Sequence, residues 1–210
     1  METNEAPVVK ILILGDAEVG KSTFLSRLSL GRSVQNDAPP PYTLPVLRDL
    51  DQPFAFDIRM YNRPYRFEFY DTAAPTHYTL LQPNFIILAY DISRRSTLQS
   101  LQETWAPLLN GHFNLDEQIP VMVVGLKRDL RREWTEEEKA SATAGGSGRG
   151  ESVMPQEGLG MAQALRCDRY AECSALTGEL CRQVLEDVAK TAAMTTTERG
   201  GLSQGGCVMM

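Results

Sequence analysis

The sequence is poor in cysteine and histidine, and no part of it is apolar for long enough to cross a membrane. Its 210 residues include four cysteines, none of them in a C-x-x-C pair, and two histidines. Neither a disulfide framework nor a zinc cluster is therefore expected. Every apolar run is shorter than the roughly 20 residues of a membrane-spanning helix, and the first residues lack the pattern of a secretory signal. We expect the protein in the cytosol.

Basic residues are also in deficit. The chain has 21 lysines and arginines against 27 aspartates and glutamates, which gives a net charge of −6. A general nucleic-acid binder needs the opposite balance to neutralise phosphates, so we expect no nucleic acid among the partners. The hydrophobic fraction of 42% is enough for a buried core, and the length suits one globular domain with appendages.

The sequence does contain a regular alternation of strand and helix patterns. Short apolar or alternating segments predict strands at residues 8–14, 54–60, 65–71, 85–90, 121–125 and 170–173. Apolar residues at helical spacing predict helices at residues 21–30, 96–109, 155–165 and 178–193. This order indicates a single α/β domain, with a mostly parallel six-stranded sheet, helices on both faces and one antiparallel hairpin.

Three segments fall outside this alternation. Residues 31–53 carry five prolines and no sustained period, which is typical of a functional or disordered loop. Residues 131–152 become polar and then glycine-rich, which predicts a flexible insertion that begins with a charged helical turn. Residues 194–210 are small and polar and predict a disordered tail. We therefore divide the chain into an extension at 1–7, a domain at 8–193 and that tail.

The motif G-x-x-x-x-G-K-[ST] lies between the first predicted strand and the first predicted helix. In a phosphate loop of this kind, backbone amides wrap the phosphates, Lys21 supplies positive charge and Ser22 ligates Mg²⁺. The pattern alone can arise by chance, but this context of strand, turn and helix is the one that a phosphate loop requires. The candidate nucleotide-binding residues in this segment are Gly15, Asp16, Ala17, Glu18, Val19, Gly20, Lys21, Ser22 and Thr23.

Three further segments lie at the ends of predicted strands. Asp71 ends the third strand, where a carboxylate beside a phosphate loop can hold Mg²⁺ through water; by itself it would be an ordinary turn residue. Leu-Lys-Arg-Asp at 126–129 follows the fifth strand, and Glu-Cys-Ser-Ala-Leu at 172–176 includes the end of the sixth. With the phosphate loop, these segments resemble those of small GTPases of the Ras superfamily, nearest the Rho family, over residues 8–193.

The resemblance implies a P-loop NTPase fold that binds GTP or GDP with Mg²⁺. Lys127 would pack along the guanine base, and Asp129 would accept its N1 and N2 hydrogens. The loop of Ser174, Ala175 and Leu176 would offer the Ala175 amide to the guanine O6. The resemblance also implies a monomeric signalling switch, with effector proteins, exchange factors and a prenyl-binding carrier as partners.

Three positions depart from the family pattern in ways that bear on GTP hydrolysis. Ala17 and Ala74 stand where glycines are usual, and Pro75 stands where the family has the glutamine that orients water. A methyl group at Ala17 crowds the terminal phosphate, and Pro75 has neither a carboxamide nor a backbone N–H. We therefore expect weak hydrolysis, with no intact catalytic residue. The alternative is that one of residues 76–78 positions the water.

Two further departures concern nucleotide affinity. In the family, a threonine of the first switch loop ligates Mg²⁺ and senses the terminal phosphate. The best candidate here is Thr43, which lies 21 residues after Ser22, a longer interval than the family normally has. Leu176 replaces a residue that is more often lysine, and the change removes one flank of the base.

The last four residues form a C-a-a-X signal. Cys207 is followed by Val-Met-Met, and a terminal methionine favours farnesyl; the alternative is a chance cysteine at that position. Residues 195–206 offer neither a basic cluster nor a second cysteine to strengthen the anchor. We therefore predict weak, exchangeable attachment to the cytosolic face of the plasma membrane or of an endomembrane.

Two other functions remain open at this level. A scaffold could keep the fold and hold partners without nucleotide turnover, as the departures at Ala17, Ala74 and Pro75 would allow. An ATP-using P-loop enzyme is disfavoured by Asp129, because a buried acceptor meant for guanine would be left unpaired against adenine.

Overall fold

A computed structural model describes residues 6–30, 44–47, 52–60, 63–71, 81–113, 119–133, 135–137 and 152–195. The strands in these residues are β1 (Val8–Leu14), β2 (Phe54–Met60), β3 (Arg63–Asp71), β4 (Phe85–Asp91), β5 (Val121–Leu126) and β6 (Arg169–Glu172). The helices are α1 (Lys21–Ser29), α2 (Arg95–Ser100), α3 (Ala106–His112), α4 (Pro155–Ala164) and α5 (Cys181–Thr195). Five residues of π-helix, Leu101–Trp105, join α2 to α3.

The strands form one sheet in the order β2-β3-β1-β4-β5-β6. β2 and β3 pair antiparallel as a hairpin, with Phe54 opposite Phe69. Every other neighbouring pair in the sheet is parallel. The prediction of a mostly parallel six-stranded sheet with one antiparallel hairpin is therefore confirmed.

Helices cover both faces of the sheet, as the sequence predicts. Along β1, Ile11 and Ile13 point to the face that carries α1 and α5. Leu12 and Leu14 point to the opposite face, which carries α2, the π-helical residues, α3 and α4. A strand that is buried on both faces needs apolar residues at consecutive positions, and this explains the four consecutive apolar residues that end β1, at positions 11–14.

The structure corrects several element boundaries. The predicted helix 96–109 is helical from Arg95 to His112 and contains the π-helical segment. The predicted helix 178–193 begins only at Cys181, because Gly178 and Leu180 take positive φ angles of 84° and 59° in the preceding turn. Arg63 and Pro64, predicted as part of the hairpin turn, already belong to β3. The sixth strand is residues 169–172 instead of 170–173.

The two flanks of the predicted insertion lie side by side. The Arg132 amide donates a hydrogen bond to Ser152 Oγ at 3.0 Å, and Arg131 Nε donates to the Val153 carbonyl at 3.0 Å. Arg131 also makes two bonds to Glu172 of β6, at 2.7 and 2.5 Å. The last helix, α5, continues through Thr195, two residues into the tail that was predicted to begin at residue 194. Residues 138–151 and 196–210 lie outside the described residues. Among the described helices, none is long and apolar enough to span a membrane.

Candidate functional site

The segments singled out in the sequence meet at one edge of the sheet. The phosphate loop follows β1, Asp71 ends β3, residues 127–129 follow β5 and residues 173–176 follow β6. These four strands run parallel, so their carboxyl ends lie along the same edge. Ligands of open α/β sheets bind at that edge, and the site therefore consists of loops that are far apart in the chain.

The phosphate loop is closely packed against the neighbouring strand. Gly15 has φ of 151°, and a Cβ atom there would lie 2.3 Å from the carbonyl oxygen of Ala89 in β4. Only glycine fits this position. Val19 is fully buried and anchors the loop in the core, whereas Ala17 and Glu18 are exposed. The methyl group of Ala17 is therefore on the open side of the loop.

Lys21 holds its positive charge inside the loop. Its Nζ donates to the carbonyl oxygens of Gly15 and Asp16, each at 2.9 Å, and lies 3.9 Å from Asp71 Oδ1. Burial lowers the pKa of Lys21, while the nearby carboxylates of Asp71 and Asp16 act in the opposite direction. A buried ammonium at the start of α1, beside a turn of backbone amides, is suited to binding phosphate.

Ser22 and Asp71 form a pair of oxygen atoms next to this ammonium. Ser22 Oγ donates to Asp71 Oδ2 at 2.6 Å. The side chain of Gln52 bonds to the backbone of Asp71. It accepts a hydrogen bond from the Asp71 amide at 3.1 Å and donates one to the Asp71 carbonyl at 2.8 Å. A hydroxyl and a carboxylate are ligand types that Mg²⁺ prefers, so these two residues fit the ion.

The first switch loop is described only in part. Residues 44–47 lie near α1, where the Ser26 hydroxyl donates to the carbonyl oxygen of Pro45. Thr43, the predicted Mg²⁺ ligand, lies outside the described residues, as do Ala74, Pro75 and Cys207. The expectations for these four residues remain predictions.

Lys127 joins the two ends of the site. Its backbone has a positive φ of 59°, and its aliphatic chain lies over Gly20 of the phosphate loop. Its Nζ donates to the Glu18 carbonyl and to Asp91 Oδ2, both at 2.7 Å. The loop expected to contact the base is therefore bonded directly to the loop expected to contact the phosphates.

Asp129 and the loop after β6 form the other end of the site. Ser174 Oγ donates to Asp129 Oδ1 at 2.5 Å and so orients the carboxylate. The Arg128 amide donates to the Cys173 carbonyl at 3.1 Å, which links the two loops through their backbones. Ala175 is buried beside them, whereas Leu176 is 66% exposed. The residues predicted to contact the base are thus neighbours.

The sequence interpretation missed two residues of this site. Asp91 ends β4 with 1% exposure and accepts bonds from Lys127, Ser93 and Arg94. Like Asp71, it follows the apolar residues of a strand, and that position could have indicated a site residue. Trp105 donates from Nε1 to Asp16 Oδ1 at 2.7 Å. It lies 89 positions away in a π-helical segment, and no local pattern indicates that contact.

These features define a P-loop nucleotide-binding protein. They are a phosphate loop with its lysine, a serine paired with an aspartate, and a second set of loops at the same edge of the sheet. The profile of the Ras family matches residues 10–194. The chain therefore belongs to the Ras family, whose members are small GTP-binding switches that generally bind Mg²⁺ and interact with effectors and regulators.

Proposed function

We propose that this chain is a Rho-like signalling switch that binds GTP and GDP with Mg²⁺ and hydrolyses GTP weakly. The observation that carries the proposal is the connection made by Lys127. One ammonium group bonds both Glu18 in the phosphate loop and Asp91 beside the base-reading loops. A ligand with phosphates at one end and a base at the other would span this connected edge of the sheet.

In this proposal, each residue at the phosphate end has its own role. Lys21 supplies positive charge to the terminal phosphates, and the amides of the loop donate hydrogen bonds to them. Ser22 ligates Mg²⁺, and Asp71 supports the ion from the end of β3. The ion supplies charge neutralisation to the phosphates when it is bound.

The base end would select guanine. Asp129 accepts hydrogen bonds from N1 and N2 of guanine, and adenine has no donors in those positions to satisfy the carboxylate. Asp129 is exposed in the structure, and a bound base would cover it. An acceptor that is covered without a partner is costly, and sites of this type discriminate strongly. The bond from Ser174 to Asp129 supports the required orientation of the carboxylate.

Weak hydrolysis follows from residues on the terminal-phosphate side. Ala17 is exposed on the open side of the phosphate loop, where an arginine from an activating protein would have to approach. The effect of such an arginine is about 10³–10⁵ in rate, so small steric changes there have large consequences. Pro75 should lower the rate of hydrolysis further, since it offers no carboxamide to orient water.

The test of weak hydrolysis is a single-turnover assay with and without a Rho-family activating protein. We expect little stimulation of the wild type and a large gain for the triple variant A17G/A74G/P75Q. The Lys21→Met variant without the activating protein gives the background rate of hydrolysis. Ordinary stimulation of the wild type would overturn the proposal of weak hydrolysis.

The nucleotide carried by freshly purified protein tests the wider function. The chain is denatured, and the released nucleotide is identified by chromatography. Bound GTP supports a persistently loaded switch, and bound GDP indicates a functioning hydrolase. Protein that carries no nucleotide and does not take up GDP with Mg²⁺ would instead be a scaffold that uses the fold to hold partners.

The proposal includes a reversible membrane anchor at Cys207. A single farnesyl group gives weak binding, and the chain offers no neighbouring basic cluster to strengthen it. The protein would then bind its partners at the cytosolic face of a membrane. These partners would be effectors, exchange factors and a prenyl-binding carrier. Fractionation of wild type and Cys207→Ser tests this, with a prenylation inhibitor on the wild type as the matched control. Equal soluble fractions in all three samples would overturn the anchor.

A further inference from the structure

We infer that Arg27 is a positioning residue for the base-reading loop, acting through the carbonyl groups of Ala175 and Leu176. Arg27 lies in the last turn of α1, the helix that begins at Lys21 beside the phosphates. Its Nε donates to the Ala175 carbonyl at 2.6 Å, and its Nη2 donates to the Leu176 carbonyl at 2.5 Å. These bonds connect residues that are 148 and 149 positions apart in the chain. The inference rests on the proposed guanine site and deepens it.

The preceding peptide group is held by the turn before α5, in which Gly178 lies beside the Arg27 guanidinium. The Ser174 carbonyl accepts from the Gly178 amide at 2.8 Å and from Cys181 Sγ at 3.2 Å, in the buried turn before α5. In a planar trans peptide, the carbonyl and the following N–H point in opposite directions. The Ala175 N–H therefore points away from that turn.

Arg27 fixes the next two peptide groups in the same sense. Three successive carbonyls, those of Ser174, Ala175 and Leu176, are all occupied by donors from other parts of the domain. Fixing these carbonyls fixes the direction of the Ala175 amide, which can then donate to an oxygen acceptor. The Thr177 amide, further along the loop, donates to Ser174 Oγ at 3.1 Å. In the proposed site, guanine O6 would be that acceptor, and Asp129 would accept the N1 and N2 hydrogens.

The bonds from Arg27 hold the part of the loop that ends at Leu176. The Leu176 side chain is 66% exposed and carries no polar group. The guanidinium of Arg27 is a rigid fork that makes two bonds at once, whereas a lysine ammonium would act as a single flexible point charge. Arg27 also stands at the carboxyl end of α1, where the helix dipole favours a positive charge.

The test compares nucleotides with and without O6. We would measure dissociation of GDP and of 2-aminopurine riboside diphosphate, which keeps the 2-amino group, sugar and phosphates but lacks both O6 and the N1 hydrogen. Each release rate is taken relative to that of the wild type with the same nucleotide, so the missing N1 hydrogen affects wild type and variant alike. Arg27→Met keeps the aliphatic length and removes both donors, and Arg27→Lys keeps the charge without the fork. Arg182→Met, which removes an exposed arginine paired with Glu186 on α5, is the matched control.

For Arg27→Met, we expect GDP to leave about tenfold faster, while release of the 2-aminopurine nucleotide changes less than about twofold. Arg27→Lys should fall between wild type and Arg27→Met, and Arg182→Met should match wild type. If Arg27→Met does not fold, Arg27→Lys and Arg27→Gln carry the same comparison.

Faster release of both nucleotides to the same extent would overturn the inference, because it would mean a general loosening of α1. Unchanged GDP release in every Arg27 variant would overturn it as well, while leaving the guanine site intact. Failure of the wild type to bind either nucleotide would overturn the proposed function together with the inference.

Discussion

Asp91 holds side chains that reach both ends of the site. Its carboxylate is 1% exposed and accepts from Lys127 Nζ at 2.7 Å, Ser93 Oγ at 2.6 Å and Arg94 Nε at 3.1 Å. Arg94 reaches on to the Ala17 carbonyl, with its Nη2 3.4 Å from that oxygen. A buried carboxylate with several donors is stable as an anion, and it holds the donors in place in return.

Replacing Asp91 should weaken both nucleotide retention and stability. In Asp91→Asn, Lys127 loses its counter-charge, so we expect GDP release about tenfold faster and a free energy of unfolding lower by about 2 kcal/mol. Stopped-flow release and urea unfolding measure the two effects. Asp57→Asn is the control, because that carboxylate is 81% exposed and 3.6 Å from its partner Arg66. Similar losses in both variants would contradict the prediction.

The same carboxylate should make the fold sensitive to acid. Burial by itself would raise the pKa of Asp91, but the bonds from Lys127 and Ser93 outweigh it, and the pKa is lowered overall. Its contribution is then complete above the unfolded pKa of about 3.9 and is lost as pH falls through the lower folded value. The stability difference between wild type and Asp91→Asn should therefore narrow below about pH 4. A difference that stays constant with pH would refute this.

At the scale of elements, the helical connection between β4 and β5 determines how the phosphate loop is supported. Its π-helical residues, Leu101–Trp105, interrupt α-helical geometry between α2 and α3. Trp105 is 5% exposed in the core beneath the sheet, and its indole N–H reaches Asp16. π-helical turns often occur at functional sites, because they change the direction of one side chain without ending the helix.

The bond between Trp105 and Asp16 should appear as coupling in a double-mutant cycle. Trp105→Phe removes the donor but keeps most of the apolar surface, and Asp16→Ala removes the acceptor. We expect the double variant to lose about 1–2 kcal/mol less stability than the sum of the single variants. Urea unfolding of the GDP-bound proteins provides the four values. Additive losses would show that the contact contributes nothing.

Two glycines in α4 should respond in opposite ways to the same substitution. A Cβ at Gly158 would lie 2.3 Å from Tyr170 Oη and 2.4 Å from Tyr90 Oη, whereas Gly160 has nothing within 4 Å. Those tyrosines are bonded to each other at 3.0 Å and cannot move apart freely. Gly160→Ala should stabilise the protein by about 0.5–1 kcal/mol, as expected for an exposed helix position. Gly158→Ala should destabilise it by about 1–3 kcal/mol in thermal or urea unfolding.

For the whole molecule, the distribution of the site matters more than any single contact. The loops that form it follow β1, β3, β5 and β6, and Asp91 ends β4 between them. A ligand at this edge would connect strands across most of the sheet. Its binding free energy should therefore stabilise the domain as a unit, since the unfolded chain cannot hold the same ligand.

GDP with Mg²⁺ should raise the free energy of unfolding by about 4 kcal/mol when its free concentration is a thousand times its dissociation constant. ADP at the same concentration should have little effect, because adenine lacks the donors that Asp129 requires. Chelating Mg²⁺ should remove part of the gain. Thermal unfolding with matched nucleotide concentrations measures all three. Equal stabilisation by ADP and GDP would contradict guanine selection and favour an ATP-using protein.

Most of the fold could be predicted from local patterns. The consecutive apolar residues at 11–14 of β1, at 85–90 of β4 and throughout β5 reflect burial on both faces. The alternating pattern of β2 and β3 reflects a hairpin at the edge of the sheet. The boundaries were less predictable where backbone geometry has no strong residue signature. Leu180 takes a positive φ of 59° without being glycine, and the π-helical turn before α3 has no sequence mark.

By itself, the sequence determined the order of elements, the phosphate loop and the family, because each depends on residue types at short, regular spacing. Only the tertiary structure decided which distant residues support the loops of the site. Asp91, Trp105 and Arg27 contact residues 36, 89 and 148 positions away. Such contacts depend on which strand ends lie side by side and on how each helix is turned about its axis. Those two quantities come from packing of the whole domain, and no local spacing encodes them.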